Sequence, residues 1–105
     1  MKARRTLSPR QEAAAERALY QAVLTLRSVD ECRDFFRDLC TPAELQALAD
    51  RWHVVGLLRQ GRPYRDVHEA TGVSVTTIGR VARCLQDGQG GYALAADRLG
   101  ERRHG

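Results

Sequence analysis

Apolar runs are short throughout this sequence, and none approaches the ~20 residues a helix needs to span a bilayer, so no membrane partner is expected. The basic start, Met1 to Thr6, leads into the polar, Ala-rich stretch Ser8 to Glu16, and no secretion signal is expected without an apolar core there. Cysteine is scarce and odd in number. Cys32, Cys40 and Cys84 lie far apart without a CxxC pair, which argues against a disulfide framework and for a reducing compartment, the cytoplasm. Nucleophile–base motifs and clustered carboxylates are missing. Gly88 to Gly91 follows a helical stretch and not a strand, so it is no dinucleotide fingerprint. Neither an enzyme nor a bound cofactor is expected. His53, His68 and His104 could suggest a metal site with the cysteines, but helical spacing does not gather them as zinc requires. The few aromatics, Trp52, Tyr64, Phe35 and Phe36 among them, fall on apolar stripes and read as core or interface residues.

What the sequence does hold is helix-forming. Ala, Leu, Arg, Gln and Glu recur, proline occurs three times, and the expected fold class is all-α. At 105 residues and 43% apolar, the chain has room for one modest core, for which dimerisation is a common remedy. A single helical domain is expected over residues 8–99, between a disordered basic tail (1–7) and a polar tail (100–105). Ser8-Pro9 starts a helix running to about Leu26, with Ala15, Leu19, Ala22, Val23 and Leu26 on one stripe. Ser28 with Glu31 reads as a capping box opening a second helix that carries Cys32, Phe35, Phe36 and Leu39. Thr41-Pro42-Ala43-Glu44 is the clearest helix start. The third helix should run to Arg59 or Gln60, burying Leu45, Leu48, Trp52, Val55 and Leu58 and stopping at Gly61. Gly56 inside it suggests a close helix crossing. A last short helix is expected over Tyr92 to Leu99.

Residues 64–86 carry the functional signal. Tyr64 to Thr71 forms a short helix, Gly72 breaks the chain, and Ser74 caps a helix from Val75 to about Leu85 or Gln86. Two short helices joined by a tight Gly-containing turn constitute a helix-turn-helix. Val67, Val73, Ile78 and Val81 are spaced to lock the two helices together. Ser74, Val75, Thr76, Thr77, Gly79, Arg80 and Arg83 are left outward or near the leading end, where hydroxyls, methyls and guanidinium groups can reach phosphates and base edges. Arg62 and Arg65 would assist at phosphates. Charge agrees: Arg27, Arg33, Arg37 and Arg51 face Asp30, Glu31, Asp34, Asp38, Glu44 and Asp50, a net −2. From Arg59 to Leu85, Arg59, Arg62, Arg65, Arg80 and Arg83 outweigh Asp66 and Glu69, a net +3. An ordinary helical hairpin with a solvated Arg-rich face is the structural alternative.

The stretches RDLCTPAELQALADRW (Arg37 to Trp52), LLRQGRPYRDVHEATGVS (Leu57 to Ser74), TTIGRVARCL (Thr76 to Leu85) and GGYALAADRL (Gly90 to Leu99) resemble the Trp repressor family, and more closely its YerC/YecD branch. That resemblance implies an intertwined homodimer of helical chains. Its two helix-turn-helix heads would read a palindromic operator in double-stranded DNA, and the protein would act as a transcription regulator, a repressor. It also implies a small-molecule effector site between core and reading head, tryptophan being the effector in the family's tryptophan-responsive members. Arg51 and Arg80 correspond to the arginines flanking that ligand, Thr41 to a threonine before the proline, and Cys84 to a serine that helps hold the ligand's amino end. Cys84, the bulky Trp52 beside Arg51, and a link after Gly61 one residue shorter depart from the pattern and argue against tryptophan here. Two other readings of the same residues are a protein-interaction or assembly module and a transposase-type DNA-binding subunit.

Overall fold

The computed structural model describes residues 6–104, and six helices follow one another there: α1 (Pro9–Val23), α2 (Val29–Leu39), α3 (Pro42–Arg59), α4 (Tyr64–Thr71), α5 (Val75–Asp87) and α6 (Gly91–His104). No strand occurs among the described residues, and the chain is all-α. Among the described residues no helix is long and apolar enough to cross a membrane. Residues 1–5 of the expected basic tail, and residue 105 of the polar one, lie outside the described residues. The chain divides into two compact units at the Cys40–Thr41 boundary.

The first unit holds α1 and α2, and no residue of either helix is buried. Ser8 starts α1 with a full capping box, its Oγ accepting from the Gln11 N–H at 3.2 Å while Gln11 Oε1 accepts from the Ser8 N–H at 2.9 Å. The helix ends at Val23, three residues before the expected Leu26. There the Thr25 hydroxyl donates to the Ala22 carbonyl at 2.7 Å, and tightened turns bring the Thr25 and Leu26 N–H groups to carbonyls three residues back. Ser28 caps α2 as expected, yet the box is incomplete. Its Oγ accepts from the Glu31 N–H at 3.1 Å, whereas the Glu31 carboxylate reaches one residue further, to the Arg27 N–H at 2.9 Å. On the apolar stripes, Leu19, Ala22, Val23, Leu26, Cys32, Phe35 and Phe36 are only half-buried, and Ala15 is exposed. Phe35 and Phe36 meet edge to face with ring centroids 5.4 Å apart. Leu24 and Val29 remain 83% and 84% exposed.

The second unit, α3 to α6, holds the core. Val54 and Val55 of α3, Val67 of α4, Val73 of the following turn, and Ile78 and Val81 of α5 are buried together, with Leu57, Leu58, Leu85 and Tyr92 packed against them. Thr41 and Glu44 close the second full capping box, at 3.1 and 2.8 Å. Gly61, at φ 82°, takes the left-handed position just past α3. The expected α3 stripe needs correction: Val54 and Val55 are its buried residues, while Leu48 and Trp52 are 41% and 39% exposed. Within this unit α4 and α5 cover the C-terminal half of α3, so burial follows that contact and not a stripe along the whole helix. Among the described residues nothing lies within 4 Å of a Cβ added at Gly56, so packing within this unit does not by itself require a glycine there. Arg59 pairs with Asp97 at 2.6 Å and the Trp52 and Tyr92 rings lie 6.3 Å apart, two links between α3 and α6. That last helix continues through Gly100 to His104, beyond the expected end at Leu99. One interior glycine costs only about 1 kcal/mol against Ala, too little to stop it.

Candidate nucleic-acid interface

α4, the turn 72–74 and α5 form a helix-turn-helix. Pro63 opens α4, its carbonyl accepting from the Val67 N–H at 3.1 Å. Gly72 ends it with φ 75° and ψ 0°, a left-handed conformation that strains any side chain, and its N–H donates to the His68 carbonyl at 2.8 Å. Val73 then enters the core.

Burying Val73 requires partners for its own backbone, and two side chains supply them. Thr71 Oγ1 donates to the Val67 carbonyl at 2.7 Å and accepts from the Val73 N–H at 3.0 Å. His68 Nδ1 lies 2.7 Å from the Val73 carbonyl, which can only accept, so this ring nitrogen carries the hydrogen. Ser74 follows in extended conformation and caps α5, accepting from the Thr77 N–H and donating to the Thr77 hydroxyl, both at 3.1 Å. The turn is thereby fixed at each successive residue. His68 and Thr71 are the positioning residues that sequence reasoning missed. The available signal was a hydroxyl and an imidazole flanking the turn glycine.

On α5, Ile78, Val81 and Leu85 point to the core, which leaves Thr76, Gly79, Arg80 and Arg83 turned away from it and Val75 on the flank of the first turn. Val75, Thr76, Arg80 and Arg83 are exposed and Gly79 is half-exposed. Thr77 is drawn inward, half-buried and bonded to Ser74. No acidic side chain occupies the first turn of α5, so the partial positive charge of its N-terminus adds to the two guanidinium groups. Arg62 precedes α4 and Arg65 sits in its first turn, both exposed.

The residues expected around an effector are only partly brought together. Arg80 and Cys84 line an open hollow of about 340 Å³ with Arg83, Asp87 and Gly88. Arg51, half-buried on α3, is not among its lining residues. The Thr41 hydroxyl is engaged in capping α3. Within the lining of the hollow, Gly88 is required on steric grounds, because a Cβ there would run into the Cys84 backbone carbonyl. No group of three or more His, Cys, Asp or Glu side chains that could hold a metal occurs among the described residues.

Residues 15–100 match the family model for the Trp repressor protein. YerC of Bacillus subtilis (strain 168), an uncharacterised protein, is 45% identical over 83 residues, which cover 79% of this chain and 80% of that protein. A crystal structure of a TrpR-like protein from Eubacterium eligens superposes with a TM-score of 0.79 at 45% identity, covering 83% of this chain and 90% of the other. A candidate Trp repressor from Staphylococcus aureus gives a TM-score of 0.81 at 38% identity, over 90% of this chain and 96% of the other. With its helix-turn-helix locked by a shared core and a match over most of its length, the chain belongs to the Trp repressor family, a family of regulators.

Proposed function

We propose that this protein is a sequence-specific DNA-binding transcription regulator, a repressor, that inserts α5 into the major groove of duplex DNA. The observation that carries this reading is the outward face of α5. It joins exposed Arg80 and Arg83 to Thr76, with Val75 on its flank, on a helix whose inner face is held in the core. Arginine can pair bidentately with guanine or bind phosphate, and Val and Thr methyls suit thymine. Arg62 and Arg65 would hold phosphates beside the groove and set the register.

The working form is proposed to be a homodimer. Unit 1 supports this, because two amphipathic helices without a buried residue gain a core only when covered. Two-fold symmetry would set the heads about 34 Å apart on a palindromic site. A small-molecule effector, if one acts, is proposed to sit where Arg80 and Cys84 line their hollow. Tryptophan fits poorly, since Cys84 is a weak hydrogen-bonding partner for an amino group.

Selection of duplexes from a random-sequence pool, with and without amino acids, tests this. One enriched palindrome is expected, bound with an affinity that falls steeply with salt. Arg80→Ala/Arg83→Ala should weaken that binding by tenfold or more, on the order of 1–3 kcal/mol per lost base contact, without lowering the helical content. Undiminished affinity of the double variant would remove α5 as the reading helix.

A further inference from the structure

Gly79 lies within α5, and nothing in its packing among the described residues requires a glycine there. Its φ is not positive, unlike those of Gly61, Gly72 and Gly90. A Cβ built on it would meet only Nη1 of Arg83, at 3.9 Å, which is ordinary van der Waals contact. Gly88 differs, since a side chain there collides with backbone. Glycine is the poorest helix former after proline, so alanine at 79 would favour the helix and fit the space. What glycine leaves is a notch in the outward face of α5. Val75, 54% exposed, and Thr76 stand one turn before it, and Arg83 stands one turn after, its guanidinium lying back toward the gap.

We propose that Gly79 is a specificity-determining residue, and that its notch admits the C5 methyl of a thymine. This inference rests on the DNA-binding reading above. Among the four bases only thymine presents a methyl in the major groove. A methyl matches the volume of the missing Cβ. Val75 and the Thr76 methyl give it apolar neighbours, and Arg83 remains free for the adjacent guanine or phosphate. A cytosine at the same position leaves the notch unfilled, and a purine brings polar groups against Val75.

The full-length chain and Gly79→Ala are each used to select duplexes from the same random pool. Thymines of the enriched site are then replaced singly by deoxyuridine, which removes the methyl alone. For the unaltered chain, one thymine per half-site is expected at which methyl removal weakens binding about fourfold, the size of one buried carbon. Gly79→Ala is expected to bind the thymine duplex at least fivefold more weakly, to lose the response to methyl removal, and to melt at an equal or higher temperature. The inference is overturned if no thymine methyl matters to the unaltered chain, or if Gly79→Ala selects the same site with equal affinity. Should the unaltered chain enrich no duplex at all, the DNA-binding reading fails, and this inference fails with it.

Discussion

His68 and Thr71 show how a few polar atoms decide where the second helix of a helix-turn-helix starts. Val73 is buried with both its N–H and its C=O inside the turn, and each group has one side-chain partner. Thr71→Val keeps the shape but strands the Val73 N–H, and is expected to lower stability by about 1–3 kcal/mol. His68→Ala removes a donor that can in part be replaced by water, and should cost about 1 kcal/mol. His68→Asn places an amide N–H near the position of Nδ1 and is expected to recover most of that loss. Thermal midpoints, with hydrogen exchange of the Val73 amide, check all three. Equal exchange rates in Thr71→Val and the unaltered chain would mean the hydroxyl does not hold the turn.

At the scale of elements, caps and glycines carried most of the information. Ser8, Ser28, Thr41 and Ser74 each cap the helix that begins after them, and Gly61 and Gly72 sit in left-handed positions after α3 and α4. Such features are legible because capping and chain reversal depend on residues three or four apart. Val67, Val73, Ile78 and Val81 were legible as core for the same reason, each lying within one turn or two of the break. Burial on α3 was not. Leu48 and Trp52 fit a helical stripe as well as Val55 does, and only the placement of α4 and α5 against α3 selects Val54 and Val55. The His68–Val73 link was hidden too, since an imidazole at a turn has several local acceptors within reach. Ser74→Ala tests the capping step directly: about 1 kcal/mol of stability should be lost, seen as a midpoint lowered by roughly 4–8 °C. An unshifted midpoint would place the start of α5 under the control of the core alone.

Across the whole molecule the two units differ in what they can hold by themselves. The second encloses a shared aliphatic core, while the first presents Tyr20, Leu24, Val29 and Leu39 to solvent. Dimerisation, as proposed, couples folding to concentration, because whatever binds only the folded state raises its apparent stability by mass action. The thermal midpoint is therefore expected to climb as protein concentration is raised. Leu24→Asp combined with Val29→Asp should abolish that dependence and give a monomer by light scattering. A midpoint constant over two decades of concentration would argue against a dimer held by this unit.

The buried residues of the second unit share one further property. Val54, Val55, Val67, Val73, Ile78 and Val81 are all β-branched, and no Leu, Met or Phe is among them. Such side chains are stiff about χ1, and in helices valine and isoleucine occupy one rotamer roughly 90% of the time. An interior of this kind loses little rotamer entropy on folding and offers few alternative packings. Rearrangement of α4 against α5 by side chains switching wells inside it is thereby disfavoured.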